Sequence, residues 1–282
     1  MKIITEPSVY LVGKQTVNEA ELDRFLSDHG VSWETDSEVA GEVLSEVGGR
    51  LCYLSFAKPR PGGNAAYLAH IKEVGHGSVL EHAVYNLLIT GVSRSLTHEL
   101  IRHRVGMSPS QVSQRYVDES VAEYVEPDII ANDPELHAIW LDAVQHAHNA
   151  YVRLAEGLVE RDQQRAFKAW SGENVGLPRN ALRDWAKHHY QPSTEVRKAA
   201  RQAARSVLPN ACETKIFVTG NARALRHFIE MRGSVHAEPE IRKLANRVLA
   251  ILVADSPNLF GDYACRLLND GTYEITTQYP KC

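Results

Sequence analysis

Residues 102–116 read RHRVGMSPSQVSQRY, and this stretch governs how the rest of the chain is understood. It gathers Arg102, Arg104 and Arg115, the imidazole of His103, and a string of hydroxyls and amides into a run almost free of large aliphatics. A core element is not written this way, because burying that many cations without partners is very costly. A solvated surface normally mixes Lys with Glu, and the run has neither. Arginine in preference to lysine suits planar, two-pronged recognition of phosphate or carboxylate. The stretch reads as an anion site for a nucleotide; the bland alternative is a solvated loop with structural ion pairs.

The background sharpens that expectation. The chain of 282 residues carries a formal net charge of −4 and has a pI near 6.4. General nucleic-acid binding normally shows as a basic domain, so no nucleic-acid partner is expected. A focused site for a small anion fits better. With 44% hydrophobic and 23% charged residues the composition is that of a soluble globular enzyme. Cys52, Cys212, Cys265 and Cys282 are scattered with no C-x-x-C pair, which speaks against a zinc ribbon or disulfide framework and suits a reducing cytosol. The opening MKIITEP lacks the apolar stretch of a signal peptide. The most apolar segments, Val84–Val92 and Val248–Ala254, are too short to span a bilayer. A cytoplasmic protein with no membrane partner is expected.

Periodicity and caps outline the elements. Residues 1–12 hold a first strand around Ile3–Ile4 and Val9–Val12, and Glu19–Asp28 reads as a helix. Val39–Cys52 and Ala65–Val74 read as two more, separated by a Pro- and Gly-rich loop at Ala57–Asn64. Val84–Gly91 is β-branched and aliphatic enough for a strand. Ser93 or Ser95 then caps a helix running to about Arg104, with Arg94, His98 and Arg102 on one face and Leu96, Leu100 and Ile101 toward the core. Asp133-Pro134 starts a long helix reaching at least Leu158. Ser171–Pro192 reads as a mobile lid or insertion. Thr194–Val207 is a helix in which Arg197, Arg201 and Arg205 recur every four residues. A strand at Lys215–Thr219 precedes a helix capped by Asn221 and ending at Arg232, and Glu238–Ala254 forms a last long helix. No repeat or linker is apparent, so a single domain of mixed helix and sheet over 1–282 is expected.

Other polar clusters invite chemistry. His76-Gly-Ser-Val-Leu-Glu81-His82 crowds two imidazoles, the Ser78 hydroxyl and a carboxylate into one turn. His76 and His82 lack the i, i+4 spacing of an H-E-x-x-H metal site, so no metal is expected. Ser78 followed by Glu81 also reads as a helix cap. The alternative is that these groups hydrogen-bond a heterocycle or ribose. Arg205 ahead of VLPNAC, and Asn221 with His227 and Arg232, are the remaining candidates; singly, each reads as an ordinary cap or helix-end charge. The cysteines have no activating neighbours. No G-x-S-x-G elbow, G-x-G-x-x-G or Walker loop occurs, so any dinucleotide is bound by side chains and not by a glycine loop.

Taken together the four segments resemble the flavin-dependent thymidylate synthases. That family's signature, R-H-R followed by S-x-x-x-x-S-x-R-Y, is matched by Arg102-His103-Arg104, Ser108 and Ser113-Gln114-Arg115-Tyr116. The upstream H-x-[ST]-x-x-E-H is matched at His76–His82, and the downstream segments at Ala204–Pro209 and Asn221–Arg232. His236-Ala237 and Glu240-Ile241-Arg242 complete the series, in the family's order, from about residue 45 to 250. Three departures stand out. The spacer Val105-Gly106-Met107 before Ser108 is one residue longer than the commonest pattern, Glu99 stands where many members have Gln, and Gln111 stands where some have Glu.

The resemblance implies an α+β fold, with helices around a largely antiparallel sheet, assembled as a homotetramer. It implies FAD as cofactor, NADPH as its reductant, methylenetetrahydrofolate as carbon donor and dUMP as substrate, with dTMP as product. By position, Glu99, Arg102, Ser113, Arg115, Arg205 and Arg232 would hold dUMP. His76, Ser78, Glu81, Arg102, His103, Arg104, Gln111, Asn221 and His227 would hold FAD. Arg232 would be catalytic, its positive charge stabilising the electron-rich pyrimidine, and Ser113 a binding hydroxyl. A UMP C5-methylase of the same family, as in nucleoside-antibiotic synthesis, is the alternative, and a non-catalytic nucleotide-binding regulator is the third reading.

Overall fold

The computed structural model describes residues 1–172, 180–280 and 282. The first elements are β1 (Lys2–Ile4), β2 (Ser8–Lys14), α1 (Glu19–Asp28), α2 (Ala40–Cys52) and α3 (Gly63–Glu73). Next come β3 (Val84–Ser93), α4 (Arg94–Leu100), β4 (Met107–Gln111), β5 (Glu123–Val125) and α5 (Asp128–Ala131). Then follow α6 (Pro134–Ser171), α7 (Ala181–His189), α8 (Thr194–Ala204), β6 (Glu213–Asn221) and α9 (Ala222–Arg232). Last are α10 (Pro239–Asp255), α11 (Pro257–Phe260), β7 (Tyr263–Leu267) and β8 (Tyr273–Thr277).

These elements fall into two compact units. The larger comprises Glu6–Gln111 and Thr214–Cys282, the smaller Met1–Thr5 and Val112–Glu213. The larger unit is built on a sheet of strand order β2-β3-β6-β4, in which β2 runs antiparallel to β3 and β4 antiparallel to β6. Along β3 buried positions alternate with half-buried ones, the period-2 signature of a strand with one face on a core. That core includes Leu80, Leu87, Ile216, Phe228, Leu244 and Phe260. In the smaller unit β1 lies parallel to β5, and Tyr124, Val144 and Cys212 form a small core.

The helix starts are set by side chains that accept the first free backbone N–H groups. Asn18, Ser93, Asp133, Ser193, Asn221 and Glu238 all do so. Three expectations need correction. The helix after Ser93 ends at Leu100, not near Arg104, so Arg102–Arg104 lie in turns beyond it, off the face of Arg94 and His98. Residues 1–12 hold two strands, one in each unit. Met107–Gln111, within the basic stretch, is itself a strand; Pro109 is tolerated because β4 is an edge of the sheet. The expected insertion at 171–192 lies partly outside the described residues, at 173–179; of the rest, Ala181–His189 is helical.

One buried ionic cluster ties α3 and α9 to the C-terminal segments of the larger unit. Asp262 accepts from Lys72 Nζ at 2.7 Å and from both Nη atoms of Arg226 at 2.7 and 2.8 Å. Arg226 is fully buried, and its guanidinium also lies 4.7 Å from the Tyr263 ring. Burial alone would raise the Asp262 carboxyl. Hydrogen bonds and charge from Arg226, helped by Lys72 and Thr277, outweigh it and hold the group well below the usual carboxylate range. Removing one partner strands two buried cations. Asp262→Ala is therefore expected to lower stability at neutral pH by about 3–5 kcal/mol, measured by urea unfolding. A loss below about 1 kcal/mol, the scale of an exposed ion pair, would contradict this.

Candidate active site

In the larger unit, two chain turns converge on one guanidinium. Arg232, the last residue of α9, donates from Nη1 to Glu99 Oε2 at 2.5 Å and from Nε to His103 Nε2 at 3.0 Å. Glu99 belongs to the last turn of α4 and His103 to the turn after it, where His103 N donates to Leu100 O at 3.1 Å. The early end of α4 is what allows this: the chain folds back at once instead of carrying His103 another turn along the helix. Ring contacts with Phe228 and His227, at 5.3 and 5.7 Å between centroids, hold the imidazole on its other sides.

Burial pushes the His103 imidazole down, and the charge of Arg232 and the neighbouring His227 push it further, to about 4. A neutral ring accepting at Nε2 carries its proton on Nδ1, so it presents one donor and cannot accept a second proton at neutral pH. Arg232 is left with an Nη2 that has no partner among the described residues, aimed by two fixed neighbours.

The return of the chain from α4 to β4 depends on Gly106. It has φ +71°, and a Cβ there would meet Asn221 Nδ2 at 2.6 Å. Asn221 N donates to Gly106 O, while the Asn221 side chain caps α9 by accepting from Ala224 N at 2.8 Å. The extra residue in the spacer thus sits in a turn packed on the start of α9.

Beside it lies a cleft of about 220 Å³, lined by Glu81, Val105, Asn221, Arg223, Ala224, His227 and Cys282. Three expected cofactor residues, Glu81, Asn221 and His227, share this lining. Ser78 is not a helix cap: Gly77–His82 is a 3-10 turn with His76 at the cap position and no side-chain cap bond. Glu81 pairs instead with Arg223 at 2.6 Å. Ser78 is exposed, and the exposed His76 ring stacks on Tyr53 at 6.1 Å. Arg102 and Arg104 are exposed and without ion-pair partners among the described residues. Gln111 is not in the cleft lining; its amide donates to Thr97 Oγ1 and Thr214 Oγ1 at 3.1 and 3.2 Å and anchors the end of β4.

Ser113, Arg115 and Arg205 belong to the smaller unit. Ser113 Oγ accepts from Arg115 N at 3.4 Å, and its carbonyl accepts from Tyr116 N and Val117 N, making a tight turn. Arg115 is half-buried with its Nε buried and lacking a hydrogen-bond partner. A buried guanidinium N–H left unpaired is costly. Arg205 is the half-buried C-cap of α8 and opens a 3-10 turn to Val207. Sequence reasoning missed Arg223 and Thr97. The signal for Arg223 was its place two residues after Asn221; Thr97 gave none, because a helical Thr is unremarkable. Among the described residues no three His, Cys, Asp or Glu side chains form a metal-holding group, and no helix is long and apolar enough to cross a membrane.

Comparison with known proteins decides the family. A family profile described as thymidylate synthase complementing protein matches residues 37–258. The flavin-dependent thymidylate synthase of Mycolicibacterium gilvum is 48% identical over 255 residues, 90% of this chain and 91% of that one. This chain belongs to the flavin-dependent thymidylate synthase family. A second member, from Corynebacterium efficiens, is 43% identical over 257 residues, covering 90% of this chain and 92% of its own. Among solved structures, the UMP/dUMP methylase PolB from Streptomyces cacaoi, bound with 5-Br dUMP, superposes with a TM-score of 0.57. At 16% identity, and covering 93% of this chain and 96% of that one, it shows that the fold is shared. The fold so shared is a mixed α+β architecture with antiparallel strand pairs.

The neutral His103 has a measurable consequence. Below about pH 6.5 the unfolded chain takes up a proton on this ring and the native protein does not. Native stability therefore falls as pH drops from about 6.5 toward 4, on this residue's account. His103→Gln is expected to flatten that part of the profile in urea unfolding measured at successive pH values. An identical slope in both proteins would show that the ring titrates normally.

Proposed function

We propose that this protein makes dTMP by reductive methylation of dUMP, with FAD as the redox cofactor, NADPH as its reductant and methylenetetrahydrofolate as the carbon source. The observation that carries this is the convergence of Glu99, His103 and Arg232, in a chain 48% identical to a named synthase over 90% of its length. The whole chain, 1–282, acts in this proposal as one synthase domain and assembles as a homotetramer, as the family resemblance implies.

The residues present suit a flavin. The cleft offers a carboxylate, an amide, an imidazole and a guanidinium around the apolar surfaces of Val105 and Ala224. Flat apolar rings with polar edges match such a lining. Glu81, Asn221 and His227 would hold the cofactor there, with His76, Ser78, Arg102, His103 and Arg104 as further contacts. Gln111 would serve it indirectly, by fixing the end of β4. When bound, the flavin supplies hydride transfer, which no side chain provides.

The protein's own groups then bind, orient and stabilise. Ser113 and Arg115 would take the phosphate, a hydroxyl and a planar fork suited to a near-dianion. Glu99, Arg102 and Arg205 would complete the nucleotide contacts. Arg232, with two of its nitrogens already engaged, keeps Nη2 for the pyrimidine. A fixed positive charge beside the ring stabilises the electron-rich form that attacks the carbon donor, and costs no reorganisation when the reaction occurs. His103, neutral, holds that guanidinium without adding a second positive charge.

The purified protein is expected to be yellow and to form dTMP from dUMP, methylenetetrahydrofolate and NADPH, with UMP turned over at a much lower rate. A colourless protein that stays inactive after FAD is added would overturn the proposal. Faster turnover of UMP than dUMP would assign it to ribonucleotide methylation instead.

A further inference from the structure

Gln114 stands between Ser113 and Arg115, and nothing above gives it a task. Its side chain is 6% exposed, while both neighbours are half-buried. The amide Nε2 donates to Cys212 Sγ at 3.6 Å, and the thiol has two acceptors within reach, Glu213 O at 3.7 Å and Glu119 Oε2 at 3.8 Å. An amide N–H only donates, so the sulfur accepts from Gln114 while its own proton turns to one of the two oxygens. A leucine would fill the same space; the amide adds direction.

Cys212 is fixed in turn by the backbone of the smaller unit. Its N–H donates to Pro209 O at 3.0 Å, closing the turn that follows Arg205–Val207, and it forms an isolated bridge with Tyr124. Cys212 thus meets Gln114 through its thiol and, through its backbone N–H, the turn that follows Arg205–Val207. Arg115 needs such help: its Nε has no hydrogen-bond partner and it makes no ion pair among the described residues. The guanidinium's one ring contact among the described residues is with the neighbouring Tyr116, 5.9 Å away, so the backbone that carries both residues sets its direction.

We infer that Gln114 is a positioning residue, anchored on the Cys212 thiol, that holds Ser113 and Arg115 in the orientation in which they receive the nucleotide phosphate. This rests on the nucleotide assignment proposed above. The amide–thiol contact ties the segment between β4 and β5, the part of the basic stretch that Gln111 does not anchor, to the residue just ahead of β6.

The test uses the flavin-loaded full-length enzyme and four variants: Gln114→Leu, Cys212→Ala, their combination, and Cys212→Ser. dUMP affinity is measured by calorimetry, alongside KM, kcat and the thermal midpoint. Each of the first two changes is expected to weaken dUMP binding about tenfold, chiefly as a rise in KM with kcat within about twofold. The double variant should be no weaker than the singles, because both remove the same contact. Cys212→Ser, which keeps a donor and acceptor, should return affinity to within about threefold of wild type. Should Gln114→Leu not fold, Cys212→Ala carries the test. Variants that lower the thermal midpoint while leaving dUMP affinity and KM unchanged would overturn the inference, as would fully additive losses. Wild-type enzyme that fails to bind dUMP would instead strike the nucleotide assignment, and is seen before any variant is compared.

Discussion

The geometry of the larger unit's site depends on one guanidinium with two fixed neighbours. Arg232 reaches Glu99 and His103 at once only because α4 stops at Leu100 and the chain turns back through Gly106. A longer helix would carry His103 away; a side chain at position 106 would collide with the cap of α9. Charge follows geometry. Burial first, and then the charge of Arg232 beside it, keeps the imidazole neutral, so the ring adds no second positive charge to the Glu99–Arg232 pair. Catalytic electrostatics of this kind is set in place during folding and does not have to be assembled when substrate arrives.

The basic stretch that carries the family signature is divided between two compact units, Arg102–Gln111 in one and Val112–Tyr116 in the other. Each part has its own anchor. Gln111 is held by two threonine hydroxyls at the end of β4, and Gln114 by a thiol beside Tyr124. Glutamine suits both positions, since a neutral amide directs a backbone without adding charge to a site already rich in arginine.

Helices were legible because their starts are chemical. Ser93, Asp133 and Asn221 cap the helices that the sequence placed behind them. Strands with one buried face were legible too, as β3 and β6 show by their alternation. What escaped lacked such signals. β4 hides Pro109 among serines, and an edge strand does not need a hydrophobic period. β7 is exposed along most of its length, so it offers no alternation to read. The candidate site was legible as an anion site from Arg102, Arg104 and Arg115, but its division of roles came from resemblance. Partners far apart in sequence, such as Glu81 with Arg223 or Asp262 with Arg226, become visible only when the chain is folded.

If Glu99 and Arg232 act as one unit in holding the nucleotide, a double-mutant cycle on dUMP binding will show it. Glu99→Gln, Arg232→Met and their combination are compared by dUMP affinity in flavin-loaded protein. A coupling energy of about 1 kcal/mol or more between the two positions is predicted, because Glu99, besides its own proposed nucleotide contact, aims the arginine. Losses that simply add, to within about 0.3 kcal/mol, would contradict the account and make the two residues independent contacts.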